Sequence, residues 1–479
     1  MIKCPNCGAE LEFDPSLQKV TCGYCGSTFK VEDLNKINLD TVKDSQKDSD
    51  YYTGETYKCN QCGATLMTFD ETAITFCSYC GSQAIIKDKM ISVNNPDYVI
   101  PFSKTKEECV KAYKDKLSSF IFTPNYLRNE SQIDKFRGIY MPYAVFNLNK
   151  KGILRGNGEI YDRRVGNYIY YDKYTVEADV DASYEGMSFD LVSKYYDNFS
   201  TSIPFDSKSI VPFNINYLHG YYADSCDVKD IHYQEVAQKI IEPDVIKRLN
   251  SNSTFKKYRV TDYKIDFDKD SKVGMFPVYF LATRDKDNKK VHYAAVNGQT
   301  GQVACDLPID FKKYILISLL IALLVFIVIN NFLILTPTKV AVFALVLNII
   351  NLFYSKNQAS KINKRANHTT DIGFVSKSKK TFTVPNFETY GIDDKIASGS
   401  KMVKNKSNKV DVKYIYKEII GIIISVVAFL TMQANDVYYY GAAVISIFLA
   451  VLSFRDLVNE HNLLTSNELP QLNTRGGNK

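Results

Sequence analysis

Absent from the 479 residues are a phosphate-binding Gly-Lys-Thr/Ser loop, a GxSxG elbow and any pair of histidines four apart with an acidic neighbour. These absences remove P-loop nucleotide hydrolysis, helicase activity, serine hydrolysis on an α/β scaffold and zinc-protease chemistry from consideration. Histidine is scarce: His219, His232, His292, His368 and His461 are scattered, and each is expected on the surface or in a core. The acidic stretch Asp262 to Asp270 lacks the glycine and terminal glutamate of a calcium loop, so a solvated strand edge is expected. Val296-Asn-Gly-Gln-Thr-Gly301 has the glycines of a phosphate loop, but it follows a hairpin and leads to no lysine or helix, which makes it a turn. No catalytic constellation emerges, and the chain is not expected to be an enzyme.

Arginine is missing from residues 1–90, which carry 9 Lys against 13 Asp or Glu. Residues 91–310 are balanced at 30 and 30, and residues 311–479 carry 20 Lys or Arg against 10 acidic residues. The positive surplus therefore lies with the long apolar runs, which points to a membrane and not to nucleic acid. The opening MIKCPNCGAE lacks the apolar core of a signal peptide, so a cytoplasmic N-terminus is expected. Length alone predicts several domains.

Eight of the eleven cysteines fall in CxxC pairs, leaving Cys109, Cys226 and Cys305 alone in the sequence. Cys4-Pro-Asn-Cys7-Gly with Cys22-Gly-Tyr-Cys25-Gly-Ser is repeated 55 residues later as Cys59-Asn-Gln-Cys62-Gly with Cys77-Ser-Tyr-Cys80-Gly-Ser. Two intervening residues let a tight turn aim two thiolates at one ion, and two such turns complete a tetrahedron. The glycines after each pair, Gly8, Gly26, Gly63 and Gly81, suit a turn that requires positive φ. Short strands are expected at 9–13 and 19–21, and again at 64–69 and 73–76. Each module is thus read as a zinc ribbon, too small to fold without metal, and two zinc ions per chain are expected. A thioredoxin-like redox motif would occur once, before a helix, and fits four pairs poorly. With four thiolates, each zinc adds a formal −2, bringing the segment from −4 to about −8 and arguing against phosphate binding.

The expected organisation is a multidomain chain: two small β zinc ribbons, an α+β cytoplasmic domain, and an α-helical membrane domain of four spans. The boundaries read as ribbon 1 at 1–30, a mobile linker at 31–54 that leaves the ribbons independent, ribbon 2 at 55–90 and the α+β domain at 96–310. Within that domain, helices are expected at 104–120 and 228–249, and a hairpin at 276–283 and 291–296. Spans are expected at about 314–335, 337–354, 417–433 and 437–454, paired as two hairpins around loop 355–416, with a polar tail at 457–479. The first is 22 residues without a charge, enough to cross about 30 Å of hydrocarbon. Loop 355–416 holds thirteen Lys or Arg, while the two short links hold only Lys339, so the loop and both termini are expected in the cytoplasm. No ionisable residue is expected deep in a span, which argues against transport, and Asn330, Asn331, Asn348 and Asn351 are expected to bond helix to helix.

The order of these parts resembles a family of bacterial membrane proteins with transcription-factor-IIB-type zinc ribbons, some of them mislabelled as the primosomal replication-restart helicase. The resemblance rests on both cysteine modules, on Tyr217-Leu-His-Gly-Tyr-Tyr-Ala, on Val296 to Gly301 and on the terminal spans. It implies action with cytoplasmic or peripheral membrane proteins at the bilayer, including envelope-stress proteins of the phage-shock type. The double ribbon and the charged loop depart from that pattern. The resulting expectation is a membrane-anchored interaction or recruitment scaffold; the alternatives are a nucleic-acid-associated replication or transcription factor and a zinc or redox sensor.

Overall fold

The computed structural model describes residues 3–34, 51–60, 64–68, 74, 77–79, 82–83, 85–133, 135–192, 195, 197–252, 257–267, 271–284, 290–332, 336–366, 415–431, 435–465 and 467–468. Ribbon 1 is a three-stranded sheet of β1 (Leu11–Asp14), β2 (Lys19–Cys22) and β3 (Thr28–Phe29), with Leu11 opposite Cys22 and Val20 opposite Phe29. Asp14 makes the first turn, its Oδ1 accepting from the Ser16 amide and hydroxyl at 2.8 and 2.6 Å. Alternation along β1 and β2 sends Leu11, Phe13 and Val20 inward.

A larger sheet of thirteen strands follows, β4 to β16. It begins with β4 (Tyr51–Cys59), β5 (Thr65–Thr68) and β6 (Ile85–Asn94), the strands around the second cysteine module. Next come β7 (Tyr98–Val99), β8 (Arg137–Val165), β9 (Tyr168–Asp190), β10 (Val211–Pro212) and β11 (Tyr222–Asp224). The remaining strands are β12 (Lys257–Phe267), β13 (Ser271–Arg284), β14 (Lys290–Asn297), β15 (Val303–Cys305) and β16 (Asn467–Glu468). The expected hairpin is β13 and β14, antiparallel, with Leu281 opposite Ala294. The Asp-rich stretch forms β12 against β8; Asp268 and Asp270 lie outside the described residues.

Among the described residues, two long helices cover the sheet. Helix α1 (Lys106–Ser118) is started by a capping box between Thr105 and Glu108 and buries Cys109, Tyr113 and Leu117, one side chain per turn. Helix α2 (Ile231–Asn252) turns Tyr233, Val236, Ala237, Ile240 and Ile241 onto Phe146 and Phe189. The central core is aromatic: Phe102 stacks on Tyr221 at 4.1 Å and meets the edges of Tyr140 and Tyr279.

Neither ribbon stands apart, contrary to the expected mobile linker. Strand β5 pairs with β11, Met67 opposite Ala223, so the second module is continuous with the domain expected to begin at 96. Ribbon 1 docks on the same body: the Phe13 amide donates to the His219 carbonyl at 3.1 Å, and the Phe13 ring meets Tyr217 edge-on at 5.2 Å. Residues 31–34 are helical and bury Val31 and Leu34, whose carbonyl partner Asn216 donates Nδ2 to Val31 O at 3.2 Å. Two apolar side chains in a polar stretch sufficed to hold the start of the linker; residues 35–50 lie outside the described residues.

Among the described residues, four helices fill the C-terminal part: α3 (Phe311–Phe332), α4 (Pro337–Ala366), α5 (Tyr416–Leu430) and α6 (Asp436–Leu464). Three of them, α3, α4 and α6, are long and apolar enough to cross a membrane. The expected third span is a helix of 15 residues, about 22 Å long at 1.5 Å per residue and short of about 30 Å. Helices α4 and α6 run beyond their expected ends at 354 and 454, because Ala359 and Ile362 pack against Leu457. The expected polar tail is likewise helical to Leu464 and then pairs with the sheet, Asn467 opposite Val291. His292 fixes that return, its Nδ1 bonding Thr465 O and its Nε2 the Tyr126 hydroxyl, both at 2.8 Å.

Candidate metal centre

Cys4, Cys7, Cys22 and Cys25 bring their four sulfurs within 4.8 Å of one another. Cys4 Sγ lies 3.6 Å from Cys25 Sγ, and Cys7 Sγ lies 3.5 Å from Cys22 Sγ. A tetrahedron with Zn–S bonds of about 2.3 Å has S–S edges of about 3.8 Å, so the spacing fits a tetrahedral metal held by four thiolates. The two halves are near copies. In the first, Cys4 N donates to Ala9 O and Gly8 N to Cys4 O, both at 2.8 Å; in the second, Cys22 N donates to Ser27 O and Gly26 N to Cys22 O, both at 2.9 Å. Gly8 and Gly26 have φ of 77° and 70°, the left-handed turn expected for them.

The cluster favours one thiolate at a time: burial and the neighbouring sulfurs push the Cys7 thiol up to about 12, while Cys25 goes the other way. Ser27 Oγ lies 3.2 Å from Cys25 Sγ, and this contact, with the Ser27 amide, lowers the Cys25 thiol from 9.0 to about 6. A metal needs its cysteine ligands deprotonated, and here one is already biased that way. Cys4 and Cys22 are buried while Cys7 and Cys25 are exposed, so one edge of the cluster faces solvent.

At the second module, Cys59 and Cys77 are buried, at 1% and 0% exposure, and Cys62 and Cys80 lie outside the described residues. The backbone bonds seen in ribbon 1 recur on the described side: Cys59 N donates to Ala64 O at 2.8 Å and Cys77 N to Ser82 O at 2.7 Å. The tyrosine between the closing cysteines separates the copies. Tyr24 is 84% exposed, whereas Tyr79 is 1% exposed, stacked obliquely on Phe280 at 5.3 Å with its hydroxyl donating to Asp224 Oδ2.

The loop at 296–301 is a turn whose amides are already used. Gln299 N and Thr300 N donate to Asn297 Oδ1 at 2.8 and 3.0 Å, which leaves no nest for a phosphate. Asn297 itself is fully buried and donates Nδ2 to Ile203 O and Pro204 O. Cys109 is buried in α1, as expected of a lone apolar cysteine.

Asn348 and Asn351, expected to bond helix to helix, do so in a buried polar seam among α4, α5 and α6, whose serines and Glu418 sequence reasoning missed. Asn348 donates Nδ2 to Ser446 Oγ at 2.8 Å, Ser425 Oγ donates to Ser446 Oγ at 2.9 Å, and Ser446 Oγ donates to Gly421 O at 3.0 Å. Two turns along, the Glu418 carboxyl is fully buried, its Oε1 accepting from Ser355 Oγ at 2.7 Å and Asn351 Nδ2 at 3.3 Å. Glu418 lies in the first turn of α5, and the packing of three helices encloses it.

No family model and no solved structure matches the chain. It is similar to YdjG of Bacillus subtilis (strain 168), a protein described as uncharacterized, with 29% identity over 318 residues, 65% of this chain and 91% of that relative.

Proposed function

We propose that this is a membrane-anchored cytoplasmic zinc-ribbon protein that recruits other proteins to the inner face of the bilayer, and that it is not an enzyme. Zinc would be held by Cys4, Cys7, Cys22 and Cys25, and a second ion by Cys59, Cys62, Cys77 and Cys80. The metal's contribution is cross-linking: closed by four thiolates, each site has no open position for a substrate, and binding supplies folding free energy of about 10 kcal/mol or more. The recurrence of the Cys59 and Cys77 backbone bonds supports the second site.

One observation carries the recruiting role: the 84% exposed Tyr24 beside the solvent-facing Cys25, on a module anchored through Phe13. Tyrosine supplies a large, stiff contact surface and is enriched at the centres of protein interfaces. The absence of arginine from the surrounding 90 residues and the charge of about −8 with metals favour a protein partner over nucleic acid.

Four crossings, and not three, fit the way the helices are tied to the sheet. Helix α3 starts beside the sheet, where Lys313 Nζ donates to Thr123 O at 2.8 Å and Asn125 Oδ1 at 2.6 Å. Helix α6 ends there too, with Asn462 and Ile309 exchanging two hydrogen bonds of 2.8 Å. Both chain ends then lie on one side of the bilayer, so the number of crossings between them is even and α5 takes part. The thirteen positive residues of loop 355–416 assign that side to the cytoplasm.

The exposure of Cys7 and Cys25 favours one second reading, a zinc or redox sensor whose metal leaves on oxidation of those sulfurs. Site-specific photocrosslinking in cells separates these readings. A crosslinker in place of Tyr24 is expected to give protein adducts, retained after nuclease treatment; adducts that disappear with nuclease would reject the recruiting role. Adducts seen only after oxidant treatment would favour the sensor.

A further inference from the structure

A cleft of about 330 Å³ opens between the ends of α4 and α6. Its floor is apolar, from Ile362, Leu457 and Val458, and its wall on α4 carries Tyr354, Gln358 and Lys361. These three stand at i, i+4 and i+7, so one face of the helix presents all of them. Lys361 is exposed, and neither it, the Gln358 amide nor the Tyr354 hydroxyl makes a hydrogen bond or ion pair among the described residues. No Asp or Glu lines the cleft, and His461 on the far wall is engaged with the Leu307 carbonyl at 3.2 Å.

The depth of the cleft follows from helix length. Counting about 20 residues for about 30 Å of hydrocarbon from Pro337 and from Asp436 brings both helices to the surface near Lys356 and Arg455. Gln358 to Lys361 and Leu457 to Val458 therefore lie in the headgroup layer, with Tyr354 and Phe454, stacked at 6.4 Å, at its lower edge. Aromatic side chains favour that level, and a lysine just above it meets lipid phosphates. An unpaired cation above two unpaired polar groups and an apolar deep end is the complement of an anionic glycerophospholipid: phosphate at Lys361, the ester carbonyls of the glycerol backbone at Gln358 and Tyr354, acyl carbons over Phe454 and Leu457. A protein helix in the same place would leave the Lys361 charge unanswered or need an acidic residue of its own.

We propose that this cleft is a specific binding site for one anionic phospholipid of the cytoplasmic leaflet. The proposal rests on α4 and α6 being spans. Resistance of the full chain to carbonate extraction tests that premise separately: loss of the protein from the membrane pellet would overturn the premise, whatever the lipid data show.

The site itself is tested on the full chain in nanodiscs of phosphatidylcholine containing a minor fraction of spin-labelled phosphatidylglycerol. One motionally restricted labelled lipid per chain is expected, in clear excess over labelled phosphatidylcholine. Lys361→Glu should lower that restricted fraction at least fivefold, while Lys356→Glu, an exposed lysine that does not line the cleft, should leave it within twofold. Equal restriction of the two lipids, or a wild-type fraction in Lys361→Glu, would overturn the proposal. So would displacement of the label by millimolar glycerol phosphate, which would mean a soluble phosphate site. Absence of any motionally restricted labelled lipid from the wild-type chain would overturn it too, in favour of a protein occupant. Unchanged thermal unfolding of Lys361→Glu confirms that the comparison is between folded proteins, and Gln358→Leu, which removes no charge, gives a second loss if folding of the first is impaired.

Discussion

Tyr24 and Tyr79 hold the same position in the two cysteine modules, yet one is 84% exposed and the other 1%. The repeat has thus been put to two uses: its second copy is a wall of the sheet domain, and its first leaves a knuckle free. Tyr24→Ala should abolish partner crosslinking from a probe at neighbouring Gly23 with less than 0.5 kcal/mol effect on stability, as for other surface changes. Tyr79→Phe should leave partner binding intact and lower stability by about 1–3 kcal/mol, because Asp224 Oδ2 loses a buried donor. Thermal unfolding and crosslinking of the two variants, side by side, check both outcomes.

Ribbon 1 is coupled to the sheet domain through Phe13, His219 and Tyr217. Cys22→Ser should therefore loosen more than its own module. Hydrogen exchange of the amides at 211–224 is expected to speed up markedly, while α2, which packs elsewhere, keeps its protection. Unchanged exchange at 211–224 would show that the docked ribbon adds no stability to its seat.

Gly421 sits where a Cβ would approach Asn348 Oδ1 to 2.6 Å and Ser446 O to 3.3 Å. Gly421→Ala should overpack the α4–α5–α6 seam and cost about 1–3 kcal/mol. Gly441→Ala, where a Cβ meets nothing within 4 Å, is the matched control and should be neutral or mildly stabilising. The comparison is read as Tm of the full chain in one detergent.

Burial raises the Cys109 thiol from 9.0 to about 12 and lifts the Tyr140 and Tyr195 hydroxyls well above their ordinary 10.0. Folding thus favours the neutral forms. Their contribution to stability is complete below the unfolded values and is lost as pH rises through 9 and 10 towards the folded ones. An alkaline titration should find a slowly ionising class of tyrosines that appears together with unfolding, and Cys109 should resist alkylation at pH 8 until the protein is denatured. Of the three lone cysteines, Cys226, the exposed one, should react first.

The cysteine spacing, the glycine turns, the strand pair of ribbon 1, α1, α2 and the β13–β14 hairpin were all legible because each depends on residues close in sequence. Docking was not. The polar composition of 31–54 hid the contribution of Val31 and Leu34; Asn216, which holds the Val31 carbonyl, lies 185 positions away. The tie between β5 and β11 was equally hidden, since a strand's neighbour across a sheet leaves no trace in its own alternation. The Glu418 seam depended on three helices meeting, and hydropathy read along one chain sees only lengths and charges. The count of spans shows the same limit from the other side: α5 is too short by length, and only the shared anchoring of α3 and α6 argues for its crossing.

Metal content of the full chain, purified reduced in detergent, tests the central claim most directly when combined with X-ray absorption at the metal edge. The account predicts two zinc ions per chain, each with four sulfur ligands at about 2.3 Å, and one zinc in a Cys62→Ser chain. One zinc or none in the wild-type protein, iron as the main metal, or nitrogen and oxygen ligands in place of sulfur would contradict it.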